Sequence, residues 1–270
     1  MLIPDETPQP AQTATPEVVI EFKDVRKAFG PNVIYDPLNL SVRRGETLTV
    51  IGGSGKGKSV LLKMLIRLLQ VDSGSITCFG EEVTTMPEAK LLGLRRRIAM
   101  LFQGAALFDS LTVAQNIKYP LVEHKWGNRE QMDQRVEEVL EMVGMPGIQN
   151  LKPSELSGGM KKRVGLARAI AIQPDVILYD EPTTGLDPLN VRRINGLILR
   201  LQRRLNVTSV VVTHDMDSCF TITDRIAFLY DRRMDWTGTK EEALATDFAP
   251  LREFVQGGRG TLESDGTEDG

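Results

Sequence analysis

A chain of 270 residues with 41% hydrophobic content holds enough apolar material for one large domain or two small ones. A formal net charge of −3 gives no global cationic field, which argues against non-specific attraction to nucleic acid. Cys78 and Cys219 stand far apart without metal-type spacing, which argues against a disulfide framework and fits a reducing cytoplasm.

Residues 1–16 are rich in Pro, Thr and Gln and carry Asp5 and Glu6 where a secretory signal has a basic region, so they read as a disordered lead-in. No apolar run approaches the ~18 residues needed to cross a membrane, so the chain reads as soluble by itself. Strands are expected at 18–22 and 39–42, the second followed by the turn Arg43-Arg44-Gly45-Glu46. Thr47–Ile51 is a buried strand. It runs into Gly52-Gly53-Ser54-Gly55-Lys56-Gly57-Lys58-Ser59, which fits G-x-x-x-x-G-K-[ST]. Glycines there let backbone N–H groups turn inward around phosphate oxygens, with a helix N-terminus behind them. Lys58 is expected to reach the β- and γ-phosphates and Ser59 to ligate Mg²⁺, with the loop from Gly52 through Val60 wrapping the nucleotide. Lys56 occupies a variable position. A glycine turn that binds nothing is the plain alternative; the strand before and the amphipathic helix at 59–70 weigh against it.

Strands follow at 75–79 and 98–102, and Gln103 closes the second. From 104 to about 156 the pattern turns helical, with Val136, Val139, Leu140 and Val143 at helical spacing in a charged background. Leu156-Ser157-Gly158-Gly159-Met160 then opens a helix that reaches Ile172, Ser157 being a good N-cap. A strand at 176–179 ends in Asp180 and Glu181, and Pro182 makes the end plausible. A helix is expected at 189–205 and strands at 209–213 and 226–229. His214 closes the first of these strands. His124 carries no comparable argument and reads as a surface residue. Residues 248–256 are amphipathic, and the glycine-rich acidic sequence after about Val255 reads as a mobile tail.

Strands alternating with helices define an α/β protein with a mostly parallel sheet covered on both faces. Ligands of such sheets bind beyond the carboxyl ends of the strands. That is where Asp180 is placed to hold Mg²⁺ through water, and Glu181 to take a proton from, or orient, an attacking water. His214 could bond a γ-phosphate or the water. Gln103 could touch the Mg²⁺ or water and move the helical region with it. Each of these residues is bland alone; their order gives them weight.

The order of motifs resembles the nucleotide-binding domain of ABC transporters over nearly all of residues 18–245. The runs Pro153-Ser154-Glu155-Leu156-Ser157-Gly158-Gly159 and Leu178-Tyr179-Asp180-Glu181-Pro182-Thr183-Thr184-Gly185-Leu186-Asp187-Pro188 carry the resemblance. It implies a P-loop NTPase (RecA-like) core with N-terminal antiparallel strands and an inserted helical subdomain at about 104–156, within an ATPase domain at 17–245. Residues 246–270 would be an extension. It also implies Mg²⁺-dependent ATP hydrolysis in a head-to-tail homodimer. Ser157, Gly158 and Gly159 would contact the γ-phosphate in trans, with Asp187 in the dimer seam. Phe29, in Lys27-Ala28-Phe29-Gly30, looks like the aromatic that stacks on adenine, although a core phenylalanine at a strand turn fits equally.

Met160 stands where the family's signature usually has glutamine. That feature, with Leu101-Phe102-Gln103-Gly104-Ala105-Ala106-Leu107-Phe108-Asp109-Ser110-Leu111-Thr112-Val113 and Tyr119-Pro120-Leu121-Val122-Glu123-His124, is similar to the ATPase of Mla-type, MCE-associated lipid transporters. The resemblance implies integral membrane permease subunits as partners, with MCE-domain and small regulatory subunits, on the cytoplasmic face of the inner membrane. Leu107 and Phe108 would meet the permease or fill the helical region's own core. An importer ATPase for amino acids or another small polar solute is the alternative. A DNA- or ribosome-acting ATPase fits less well, since one domain and no heptad run are present.

Overall fold

The computed structural model describes residues 17–258. The expectations for 1–16 and for the tail from 259 onward lie outside them. The chain opens on a hairpin, β1 (Val18–Phe29) and β2 (Asn32–Arg43), and enters the core through β3 (Thr47–Ile51) and α1 (Lys58–Leu65). Next come β4 (Ser73–Cys78), β5 (Glu81–Glu82), α2 (Glu88–Arg97) and β6 (Ile98–Leu101). Three helices follow: α3 (Val113–Glu123), α4 (Arg129–Met142) and α5 (Gly158–Ala171). The chain then returns through β7 (Val176–Asp180), α6 (Pro188–Leu205), β8 (Thr208–Val212), α7 (Met216–Ile222) and β9 (Arg225–Tyr230). It closes with β10 (Arg233–Thr239), α8 (Lys240–Leu244) and α9 (Ala249–Gly258).

Two sheets form. An antiparallel sheet runs β2-β1-β4-β5 and a second runs β10-β9-β3-β8-β7-β6, parallel from β9 to β6. β3, β7 and β8 are buried at every position, as expected of parallel strands covered on both faces. Their side chains alternate between layers. Val176, Leu178, Val210 and Val212 join the core under the antiparallel sheet, with α1 and α2. Ile177, Tyr179 and Val211 face the opposite layer, built on α3 to α6.

Several boundaries differ from the sequence reading. β1 and β2 each span 12 residues, well past 18–22 and 39–42, because pairing from Val18↔Arg43 to Phe29↔Asn32 recruits polar residues with exposed side chains. α1 stops at Leu65, and Arg67 turns left-handed. α2 escaped notice because Leu91 and Leu94 are its only buried residues. α9 buries Leu251 and Val255 beside Ile226 and Phe228 and runs on to Gly258, so the helix extends slightly past the point, after about Val255, where the tail was expected to begin. His124 is half-buried, and its imidazole pKa is lowered by that burial and by Arg96. Among the described residues no helix is long and apolar enough to cross a membrane.

α3 and α4 begin with capping boxes, Thr112 with Gln115 and Asn128 with Gln131. Buried Arg135 of α4 closes the far end of α5: Nε donates to Ala171 O at 3.0 Å and Nη2 to Ile170 O at 2.9 Å. Those are helix-end carbonyls that lack intrahelical partners. Arg135→Ala therefore leaves buried acceptors unpaired, and we expect it to cost about 3 kcal/mol, read as a lower urea midpoint at unchanged m-value.

Candidate active site

The register of the parallel sheet decides which side chains meet. Val50 and Asp180 both lie opposite Val212, and Leu101 lies opposite Tyr179. The glycine loop after β3, the carboxylates at the end of β7, and Thr213 and His214 after β8 therefore emerge at one edge.

Gly57 caps α1 with φ +103, and a Cβ there would stand 2.4 Å from Ile34 Cγ2. Only glycine fits. Tyr35 Oη donates to Gly57 O at 2.5 Å, so β2 holds the loop from behind. Lys58 folds back over the loop, Nζ donating to Gly52 O at 2.9 Å and Gly53 O at 3.1 Å. Burial pushes its ammonium below the usual lysine range, while the Glu181 and Asp180 carboxylates pull the other way. Ser59 Oγ donates to Asp180 Oδ1 at 2.6 Å. Val60 packs half-buried against the core.

Glu181 is 8% exposed and left-handed at φ +48, so the strand ends at Asp180 and the two carboxylates diverge. Its N–H donates to Val212 O at 2.9 Å and its carbonyl accepts from Lys162 Nζ at 3.0 Å. The carboxylate is surrounded. His214 Nδ1 lies 2.9 Å from Oε2, Thr184 Oγ1 donates at 3.1 Å, and Lys58 Nζ stands 3.9 Å from Oε1. Thr213 Oγ1 completes the set at 3.4 Å. Asp215 accepts from Thr183 and Ser218, and Ser218 accepts from buried Asn195, which anchors the His214 loop to α6 and α7.

A second group lies exposed. Ser157 caps α5, its hydroxyl accepting from Met160 N at 3.3 Å. Gly159 is pressed against α6, where an added Cβ would stand 2.9 Å from Asn190. The Asn190 amide donates to Asp187 Oδ2 at 2.5 Å, and Asp187 caps α6 through Leu189 and Asn190 N–H at 3.0 Å. The signature loop and Asp187 thus form one surface, with Gly158 exposed between them.

Phe29 is 46% exposed at the tip of the β1–β2 hairpin, with the Lys27 ammonium 5.1 Å above its ring. That rules out the core position. Beside it, Asn32 and Ile34 face Gly53, Gly55 and Lys56 across a cleft of about 1110 Å³. Gln103 sits in the turn after β6, exposed, and makes no bond to Asp180 or Ser59. Its turn is fixed by Arg168, whose guanidinium donates to Ala105 O and Ala106 O at 2.9 and 2.8 Å. Leu107 packs into the helical layer while Phe108 stays exposed, stacked 4.8 Å from Tyr119.

Tyr35, Thr184, Thr213 and Lys162 were missed at the sequence level. Nothing local marks them; Lys162 looks like Lys161 until the helix phase turns it inward.

Two lysines, three hydroxyls, two carboxylates and an imidazole gathered beside a glycine cradle define a site for a phosphate ester. The family model described as ABC transporter matches residues 35–184, and the chain belongs to that family, as an ATP-hydrolysing member. It is 40% identical to the intermembrane phospholipid transport system ATP-binding protein MlaF of Haemophilus influenzae, over 92% of each chain. It is 36% identical to the probable ribonucleotide transport ATP-binding protein mkl of Mycobacterium leprae, over 90% of this chain and 70% of that one. Among solved structures, the dimeric post-hydrolysis state of the ATP-binding cassette MJ0796 bound to ADP and Pi superposes with a TM-score of 0.75 at 31% identity. That likeness covers 82% of this chain and 98% of that one.

Proposed function

We propose that this chain is the energy-coupling ATPase of a transporter that moves phospholipid or another hydrophobic molecule across a bacterial envelope. The observation that carries the enzymatic part is the Glu181 carboxylate held between His214, Thr184 and Lys58 at the mouth of the glycine loop. Lys58 releases the Gly52 and Gly53 carbonyls and turns to the β- and γ-phosphates, while loop N–H groups and the α1 N-terminus complete the cradle. Glu181 orients the attacking water and accepts its proton; His214 holds the carboxylate in place and senses the γ-phosphate. Phe29 offers an exposed ring for the adenine.

Ser59 and Asp180 supply hard oxygen donors 2.6 Å apart. Among the described residues no three His, Cys, Asp or Glu side chains are arranged to hold a metal ion by themselves. Such a sparse set suits Mg²⁺, which keeps water and phosphate oxygens as most of its ligands. When bound, Mg²⁺ neutralises charge on the β- and γ-oxygens. Gln103, exposed in the turn after β6, is a further candidate ligand for this set.

Exposed Ser157, Gly158 and Asp187, with Gly159 buried beside them, form an anion-binding surface directed away from their own core, which supports a head-to-tail pair sharing two nucleotides. Phe108, Tyr119 and Val122 are exposed apolar residues on the helical layer, beside the Gln103 turn, and form the surface offered to a membrane permease. Peripheral attachment to the cytoplasmic membrane face follows from that partner.

The likeness to MlaF supports a phospholipid cargo; the name of the mycobacterial relative favours a polar one. Purification of the tagged chain from its own membranes, with mass spectrometry of bound proteins and lipids, separates them. A multi-span permease with enriched phospholipid is expected. A permease with a solute-binding protein and no enriched lipid would keep the ATPase and overturn the cargo.

A further inference from the structure

We infer that Lys162 is a positioning residue that ties the activating glutamate of one ATP site to the signature loop that closes the other. The inference rests on the head-to-tail pairing proposed above.

Lys162 sits on α5, four residues beyond Gly158, about 6 Å along the helix axis. It is 5% exposed, whereas its neighbours Lys161 and Arg163 are only half-buried. A buried ammonium needs compensation, and its hydrogen bond goes to the Glu181 carbonyl at 3.0 Å. Burial lowers its pKa, opposed by the Glu181 and Asp180 carboxylates. Glu181 is one of the non-glycine residues held at positive φ, a conformation that persists only where the surroundings hold it. The surroundings are three main-chain bonds: Val212 O on the β8 side, Lys162 on the α5 side, and a longer turn bond from Thr184 N–H at 3.4 Å that shares the Glu181 carbonyl with Lys162.

The carboxylate itself is bonded by groups of the core sheet edge: His214, Thr184 and Thr213. None of them lies on α5. Lys162 does, on the helix that Ser157 caps and Gly158 opens. In the paired enzyme that loop takes the partner's nucleotide, whereas Glu181 serves the nucleotide on its own glycine loop. A shift of α5 on engaging one nucleotide is therefore delivered, through Lys162, to the peptide that aims the general base at the other. The predicted consequence is communication between the two sites within each subunit.

Lys162→Met keeps the stem length and removes the donor. In the full chain, kcat is expected to fall about ten- to a hundredfold, as for a misplaced catalytic group, with KM for ATP within twofold. The Hill coefficient in ATP is expected to drop below the wild-type value, and Lys162→Arg to restore both. Wild-type kcat and Hill coefficient in Lys162→Met overturn the inference, as does a non-cooperative wild type. So does a Lys162→Arg variant as impaired as Lys162→Met at unchanged melting temperature. Should Lys162→Met not fold, hydrogen–deuterium exchange of the wild type decides: ATP must alter exchange at the start of α5 and at 180–184 together, and a change at one alone refutes it. ATP-driven dimerisation of Glu181→Gln is measured alongside. Its absence sinks the pairing itself; its presence with uncoupled Lys162 sinks only this inference.

Discussion

Glu181→Gln should abolish steady-state phosphate release while leaving ATP bound. The substitution keeps the shape of the side chain and the carbonyl oxygen that can accept from Thr184, but removes the group able to take a proton from water. General-base catalysis contributes about 10²–10⁴-fold, so turnover should fall at least a hundredfold. The main-chain bonds to Val212 and Lys162 do not involve the carboxylate, so the backbone at φ +48 is retained. Losing a negative charge 3.9 Å from Lys58 also removes repulsion of the incoming phosphates. ATP should therefore bind at least as well and hold the pair of subunits closed, visible as a larger species on size-exclusion chromatography only with nucleotide. Turnover equal to wild type would remove Glu181 from the chemistry. A variant that neither hydrolyses nor retains ATP would instead point to a disrupted loop.

The second large effect belongs to Lys58. With the ammonium gone, the β- and γ-phosphates lose a charge-assisted partner, each such bond being worth about 1.5–3 kcal/mol. Lys58→Ala should weaken ATP binding about tenfold to a hundredfold and lower kcat by about 10², the loss typical of one donor that stabilises developing charge. Fold stability should hardly change. In the free protein Lys58 hydrogen-bonds only loop carbonyls, its ion pair with Glu181 is long at 3.9 Å, its burial is unfavourable, and Tyr35 and Ile34 hold the loop independently. Fluorescent-nucleotide titration and thermal melting on one preparation separate the two. Wild-type affinity with wild-type turnover would refute the phosphate-loop assignment, and a collapsed melting temperature would show that Lys58 holds the loop together.

The residues of this site were legible to different degrees. Gly52 to Ser59, Asp180, Glu181 and Ser157 to Gly159 could be found because each is local: a few positions of fixed type bounded by a strand end and a helix start. Phe29 was found with its role open, and only its exposure at the hairpin tip excluded the core. Gln103 was found for its place in the series, yet its side chain lies in solvent. The long hairpin, α2, β10 and the reach of α9 to Gly258 were not legible, because their polar or thin apolar patterns become ordered only by pairing with distant chain.

By itself the sequence determined the order of the parallel strands and the helices α1, α5 and α6 beside them, the glycine cradle, the two carboxylates and the family. These follow from short-range periodicity and local backbone demands, which neighbouring residues satisfy alone. Tertiary structure decided the contacts: His214 and Lys58 on the Glu181 carboxylate, Tyr35 behind Gly57, Asn190 against Gly159, and Lys162 on the Glu181 carbonyl. Each needs the register of β3, β8 and β7 and the packing of α5 over their ends. Those depend on burial shared across the whole sheet, which no local window of sequence contains.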